Sequence, residues 1–123
     1  MTDTSSNTHP TTIYKVADAA DFEAAEADGI YAGAPVDIAD GFIHFSTAAQ
    51  LPETLRRHFS GRSGLVLAAI DTEKLGSGLI WEPSRGGDLF PHLYGNLPLS
   101  AILWQEPIEV DEAGNCNLPA RLG

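Results

Sequence analysis

Two short stretches of the 123-residue chain contain residue types suited to acid–base chemistry and anion binding. In the first, residues 41–46, apolar neighbours around His44 predict a buried strand. The two-residue period of a strand places His44 and Ser46 on one face. Ser46 and Thr47 also precede a predicted helix, whose free N–H groups favour an anion. An imidazole, two hydroxyl groups and a helix start therefore suit a sugar hydroxyl or a phosphate.

The second stretch, residues 81–95, combines three aromatic residues, one arginine and two acid–base candidates: Trp81, Phe90, Tyr94, Arg85, Glu82 and His92. Aromatic rings can stack on a flat ligand ring, and a guanidinium can bind a phosphate or carboxylate through two N–H groups. A carboxylate and an imidazole can exchange protons with a substrate. An equal alternative is a structured loop whose rings fill the core and whose arginine pairs with Asp88 or Glu82.

The charge of the chain limits its partners. Seven Lys and Arg residues stand against 17 Asp and Glu residues, which gives a formal net charge of −10. This balance argues against sequence-independent binding of nucleic acid or anionic lipid. Five of the seven basic residues nevertheless fall between residues 51 and 100: Arg56, Arg57, Arg62, Lys74 and Arg85. They are either solvated surface residues or part of a site for a phosphate-bearing small molecule.

Composition also restricts the compartment and the metal chemistry. The single Cys116 excludes an internal disulfide framework and a zinc site built from several cysteines. No apolar run reaches the ~18 residues of a membrane span, and no signal peptide is recognisable. We therefore expect a cytoplasmic protein that holds no metal.

The elements that must position these residues form one domain, with helices early and strands late in the chain. A disordered lead is expected over residues 1–11, one domain over 12–110 and a tail over 111–123. The region 30–40 is turn-rich and predicts a loop, whereas residues 65–70 predict a central strand. We expect five or six strands and two helices, which indicate an α+β fold. The second helix spans 48–59 or begins nearer Leu51. The predicted elements are strands at 13–16, 41–46, 65–70, 79–82 and 101–110, a segment at 90–94 that leads into Gly95, and helices at 19–27 and 48–59.

Three blocks carry a family resemblance: residues 40–47 (DGFIHFST), 81–85 (WEPSR) and 90–95 (FPHLYG). Over about residues 12–110, the chain resembles the uncharacterised bacterial family catalogued as domain of unknown function 952. The fold of that family is similar to that of ADP-ribosyltransferases, a compact α+β domain whose split, mostly antiparallel sheet binds NAD in a cleft. The resemblance thus implies NAD or a related nucleotide as the ligand, and ADP-ribosyl transfer or NAD cleavage as the activity.

The resemblance also implies roles for individual residues. His44 and Ser46 match the superfamily pattern that binds ribose, Tyr94 or Trp81 would stack on nicotinamide, and Glu82 is the nearest candidate for the superfamily's glutamate. The expected catalytic residues are His44, Glu82 and His92. The expected cofactor contacts are Ser46, Thr47, Arg56, Trp81, Arg85, Phe90 and Tyr94. We expect a monomer whose partner is a small nucleotide-like molecule.

Two further hypotheses come from other classes of protein. In one, the domain is a non-enzymatic module that binds a small metabolite without consuming it. In the other, it is a degenerate scaffold of the same fold in which both stretches serve packing and loop order. A ligand that stabilises the protein without being consumed would favour the binding module.

Overall fold

The strand β4 (Leu65–Asp71) lies at the centre of a three-stranded antiparallel sheet, between β1 (Thr12–Asp18) and β8 (Ile102–Ile108). This computed structural model describes residues 9–120 and 122. Every residue of β4 from Leu65 to Ile70 is buried, so the apolar run does form the predicted central strand. Pro107 lies on β8, a strand at the edge of this sheet, where a missing N–H is tolerated.

Both faces of this first sheet are covered. On one face, Tyr14 and Val16 of β1 pack with Leu51 and Leu55 of the helix α3 (Leu51–His58). On the other face, Ile13 and Ala17 belong to a second apolar cluster that includes residues of the remaining sheets. The alternation places the buried side chain of Lys15 on this second face. A charged group is thereby brought between two layers of the fold.

The remaining strands form two smaller antiparallel sheets. One pairs β2 (Ile30–Tyr31) with β7 (Leu97–Pro98). The other has the order β3-β6-β5, with β6 in the middle. Its strands are β3 (Ile43–His44), β5 (Leu79–Pro83) and β6 (Leu89–Leu93). Short 3₁₀ turns at 72–74, 76–78, 85–87 and 99–101 connect the strands.

The α+β class is confirmed, but the structure has three α-helices within its described residues instead of the two that we predicted. The first is α1 (Ala19–Ala25), in the predicted place, and the unpredicted one is α2 (Pro35–Asp40). Pro35 occupies the first turn of α2, where a proline needs no N–H partner, and Gly41 ends it with a left-handed φ of 89°. The same residue types also favour turns, which is why the sequence predicted a loop over 30–40.

Several predicted boundaries differ from the structure, and the short strands β2 and β7 were not predicted. The strand over 41–46 is shorter, because β3 contains only Ile43 and His44, and Ser46 instead makes an isolated bridge to Tyr14. The helix α3 begins at Leu51, as the second alternative proposed, so Pro52 falls in its first turn. Thr47 and Gln50 exchange the reciprocal bonds of a capping box just before it.

The first and the last described residues contact the rest of the domain. Residues 1–8 of the predicted lead lie outside the described residues, but His9 stacks on Trp81 with ring centroids 4.0 Å apart. In the predicted tail, the backbone of Cys116 forms an isolated β-bridge with that of Val110. Leu118 and Leu122 pack against the apolar cluster that contains Leu51 and Leu55 of α3. The described part of the tail therefore adds apolar contacts to the core.

Candidate functional site

A buried carboxylate, Asp37, holds His44 by two hydrogen bonds. The Oδ1 of Asp37 lies 2.6 Å from the ring Nδ1 of His44 and accepts the backbone N–H of His44 at 3.1 Å. Its Oδ2 accepts the Nζ of Lys15 at 2.9 Å and the backbone N–H of Ala34 at 2.7 Å. The side chain of Asp37 is 1% exposed, so these four donors replace its hydration.

The environment of Asp37 keeps it ionised. Burial alone would raise the pKa of its carboxyl group, but the hydrogen bonds from His44, Lys15 and Ala34, together with the charge of Lys15, hold that pKa well below its ordinary value. Burial also lowers the pKa of Lys15, while Asp37 acts in the opposite direction. Because an ionised carboxylate only accepts hydrogen bonds, the Nδ1 of His44 must be the donor to Asp37.

A second carboxylate faces the other nitrogen of the same ring. The Oδ2 of Asp40 lies 3.0 Å from the Nε2 of His44, and both side chains are partly open to solvent. Asp37 and Asp40 are three positions apart on α2, so they project on the same side of the helix. Asp40 is thus placed to accept a hydrogen bond from Nε2 whenever that nitrogen carries a hydrogen.

His92 has a carboxylate partner of its own. The Nδ1 of His92 lies 2.7 Å from the Oε1 of Glu82 on β5, and the phenol of Tyr94 donates to the same oxygen at 2.8 Å. The bonds from His92 and Tyr94 lower the pKa of Glu82, and the bond to Glu82 raises the pKa of Tyr94. Glu82 is therefore negatively charged at neutral pH and orients one imidazole and one phenol.

The two histidine–carboxylate pairs form one site. His44 and His92 are directly paired across β3 and β6, and their ring centroids are 5.5 Å apart. The ring of Phe42 stacks on His92 at 4.1 Å and lies 4.7 Å from the ring of His44 and 5.2 Å from that of Tyr94. We call the following residues the paired-histidine cluster: Asp37, Asp40, Phe42, His44, Glu82, His92 and Tyr94.

The three predicted catalytic residues and Tyr94 thus lie together, whereas Trp81 lies on the other face of the same sheet. Glu82 follows Trp81 on β5, and successive side chains of a strand point to opposite faces. Trp81 packs against the core cluster, and the ring of His9 is stacked on it, nearly parallel, with an interplanar angle of 3°. Phe90 is buried two positions before His92 on β6.

The predicted hydroxyl contacts are bound to other elements. The Oγ of Ser46 is buried and lies 2.9 Å from the Oγ1 of Thr54 on α3. The hydroxyl of Ser46 is therefore bound to α3, whereas the ring of His44 is held by Asp37 and Asp40 of α2. The hydroxyl of Thr47 accepts the backbone N–H of Gln50 in the capping box.

The predicted phosphate contacts have different surroundings. Arg56 pairs with Glu53 one turn earlier on α3 and lies against Gly114 of the tail. The backbone of Arg85 forms a short 3₁₀ turn between β5 and β6, and its side chain lies outside the described residues. The structure therefore leaves the predicted joint role of these two arginines as a prediction.

No role was predicted from the sequence for Lys15, Asp37, Asp40 or Phe42. Lys15 carried a usable signal, because a lysine between the apolar residues of a buried strand requires a charged partner. Asp37 carried none, since an aspartate in a turn-rich stretch is ordinary. Asp40 and Phe42 stand within the block at residues 40–47 that carries the family resemblance.

Two absences hold for the part of the chain that the structure describes. Within residues 9–120 and 122, no three His, Cys, Asp or Glu side chains are grouped as metal ligands. In the same residues, no helix has the length and apolar character needed to cross a bilayer.

Together, the fold and the site define a small α+β protein with paired histidine–carboxylate groups on one sheet. The model of the family described as "Protein of unknown function (DUF952)" matches residues 16–105, and the chain belongs to that family. No curated protein matches the chain significantly.

The fold is similar to that of a solved bacterial protein, CC0527 from Caulobacter crescentus. Its crystal structure is 44% identical in sequence, with a TM-score of 0.85, and the match covers 91% of this chain and 98% of that one. Its solution NMR structure is 45% identical over the matched part, with a TM-score of 0.74, and covers 85% and 90% of the two chains.

Proposed function

We propose that the paired-histidine cluster binds the ribose of NAD or a related nucleotide, and that the protein transfers ADP-ribose or cleaves NAD. The observation that carries the proposal is the direct pairing of His44 and His92, each of which is held at Nδ1 by its own carboxylate. Two oriented imidazoles side by side suit the two neighbouring hydroxyl groups of a ribose. The resemblance to ADP-ribosyltransferases independently implies a ribose contact at His44.

The charge of the cluster suits the chemistry of glycosidic cleavage. When the bond between nicotinamide and ribose breaks, nicotinamide leaves with the bonding electrons and positive charge develops on the ribose ring. A nearby ionised carboxylate stabilises such a charge most where water is excluded. The carboxylate of Glu82, whose pKa is lowered by His92 and Tyr94, supplies that negative charge. His92 or Glu82 would then accept the proton of the attacking acceptor.

The aromatic residues suit the nicotinamide ring. Tyr94 is 47% exposed and contacts Phe42, so its ring borders both the cluster and solvent. A flat ring can stack there without leaving the reach of Glu82. Of the two stacking candidates, this location favours Tyr94 over Trp81, which packs against the core beneath His9. The loop containing Arg85 follows β5 directly, and Arg85 remains the proposed phosphate contact.

A thermal-shift series tests the proposal. Melting curves are recorded for wild type, His44→Ala, His92→Ala and the control His58→Ala. The control alters an exposed histidine of α3. Each protein is measured with NAD, ADP-ribose, nicotinamide, unrelated nucleotides and free sugars. We expect NAD and ADP-ribose to raise the melting temperature of wild type and His58→Ala by mass action, and to leave the two cluster variants unshifted. A shift of equal size in folded His44→Ala would refute the ribose site.

Product analysis then separates an enzyme from a binding module. Wild type is incubated with NAD, and released nicotinamide is measured by chromatography, with Glu82→Gln as the matched variant. We expect nicotinamide release that depends on Glu82. A ligand-induced shift with no consumption of NAD would instead support the binding module of the same fold.

A further inference from the structure

We infer that Asp37 is a positioning residue, held in place by Lys15, that fixes the His44 ring with Nδ1 as a permanent donor and Nε2 as the nitrogen that meets a ligand. The identity of that ligand rests on the proposed function, whereas the orientation of the ring does not. Neither Asp37 nor Lys15 would touch the ligand in this arrangement.

The contacts of Asp37 leave it only one chemical form. All four groups within hydrogen-bond distance are nitrogen atoms: the side chains of Lys15 and His44 and the backbone groups of Ala34 and His44. An asparagine of the same size would place its NH₂ group, itself a donor, against either the Lys15 and Ala34 donors or the two nitrogens of His44. The site therefore requires a carboxylate, and the carboxylate in turn requires a hydrogen on the Nδ1 of His44.

Lys15 fixes both the carboxylate and the backbone of the histidine. Its side chain is buried, and its Nζ donates to the Oδ2 of Asp37 at 2.9 Å and to the carbonyl oxygen of His44 at 3.0 Å. The lysine comes from β1, the aspartate from α2 and the histidine from β3. One buried group thus joins three elements at the point where the His44 ring leaves the sheet.

The ring orientation determines which nitrogen a ligand can approach. A half-turn of the ring about the Cβ–Cγ bond would break the hydrogen bond from Nδ1 to Asp37. The charged and titratable groups around the ring are Asp37 and Asp40 of α2, Lys15 of β1 and His92 of β6. Among the described residues, the half-exposed Asp40 faces Nε2, so a ligand hydroxyl would replace Asp40 at that nitrogen.

The experiment is a set of two-dimensional ¹H–¹⁵N spectra of the imidazole nitrogens, recorded across pH on protein labelled with ¹⁵N-histidine. We expect the Nδ1 of His44 to keep the chemical shift of a protonated nitrogen throughout, so that only Nε2 changes. Asp40→Asn, which alters the exposed carboxylate at Nε2, serves as the matched control and should keep the same pattern. Asp37→Asn should populate the opposite tautomer, in which Nε2 carries the hydrogen.

Several outcomes would overturn the inference. A wild-type spectrum in which Nδ1 loses its hydrogen as the pH rises would do so without any variant, even if Asp37→Asn fails to fold. So would a folded Asp37→Asn with the wild-type pattern. Lys15→Met should admit a second tautomer, and a single unchanged tautomer there would remove Lys15 from the inference.

Spectra recorded with NAD distinguish the positioning role of Asp37 from the proposed NAD-binding function. Addition of NAD to wild type should move the Nε2 resonance of His44 while Nδ1 stays protonated. If NAD changes neither resonance and gives no thermal shift, the proposed function fails. The tautomer of His44 in the free protein would still decide the positioning role of Asp37.

Discussion

His44 and His92 face each other across β3 and β6 as a directly opposed pair, with an interplanar angle of 71° between their rings. The backbone register of the two strands sets their separation. Their carboxylate partners come from different elements, Asp37 from α2 and Glu82 from β5. A substitution of Asp37 therefore removes the partner of His44 alone, and a substitution of Glu82 removes the partner of His92 alone. The contributions of the two pairs can thus be measured separately.

Asp37→Asn should destabilise the protein in a pH-dependent way. Because the pKa of Asp37 is depressed in the folded state, its stabilising contribution is present above the ordinary carboxyl pKa of about 4 and is lost as the pH falls below it. At pH 7, breaking a buried ion pair typically costs about 3–5 kcal/mol. Urea unfolding at several pH values should show a large difference from wild type at pH 7 that narrows in acid.

The control for this prediction is Asp28→Asn, which alters an exposed aspartate after α1. Surface substitutions of this kind usually change the free energy of unfolding by less than about 0.5 kcal/mol. A difference between Asp37→Asn and wild type that stays constant from pH 7 to pH 3 would contradict the assignment of an ionised, low-pKa carboxylate.

Gly33→Ala should displace Asp37 and disturb His44. Gly33 has a φ of +113°, and a Cβ there would lie 2.8 Å from the Cβ of Asp37 and 3.3 Å from its Oδ2. The matched control is Gly41→Ala, with a φ of +89° and no atom within 4 Å of the added Cβ. Backbone strain alone costs about 1–2 kcal/mol, so urea unfolding should show a larger loss for Gly33→Ala. Equal losses, with unchanged His44 resonances in both variants, would contradict the close approach.

Glu82→Gln should lower the pKa of Tyr94. The hydrogen bond to Glu82, followed by desolvation and the negative charge of Glu82, raises that pKa above its ordinary value of about 10. Ultraviolet absorbance of tyrosinate, followed as the pH is raised, reports the ionisation, and Tyr94→Phe identifies which transition belongs to Tyr94. An unchanged midpoint in Glu82→Gln would show that the Tyr94–Glu82 bond does not control the phenol.

The sequence predicted elements with strong local patterns. The apolar run of β4 and the spacing of Leu51 and Leu55 on α3 each require burial on a definite face, whatever the rest of the chain does. The helix α2 has six residues, and its Pro35 start and Gly41 end also suit a loop. Asp37 of α2 makes tertiary contacts with Lys15 and His44, and these contacts cannot be predicted from the local sequence pattern.

For the candidate site, too, the sequence predicted individual residues but not the tertiary contacts between them. His44 was identified because it stood in an apolar strand-like stretch, and His92 because its stretch combines aromatic residues, an arginine and acid–base candidates. Their register across β3 and β6 was not visible, since strand pairing depends on contacts distant in sequence. The partnership of Lys15 with Asp37 spans 22 positions, and it became apparent only once the sheets were packed together.

Trp81→Ala should reduce stability while leaving ligand binding at the cluster intact. Trp81 lies on the core side of β5 and is partly buried, so the loss should fall below the ~3–5 kcal/mol typical of a fully buried aromatic residue. Thermal melts with and without NAD measure both effects in one series. His44→Ala should show no shift with NAD, and its own melting temperature should fall because the buried Asp37 loses one of its donors. A folded Trp81→Ala that loses the NAD shift would instead place Trp81 in the ligand site and move the stacking position away from Tyr94.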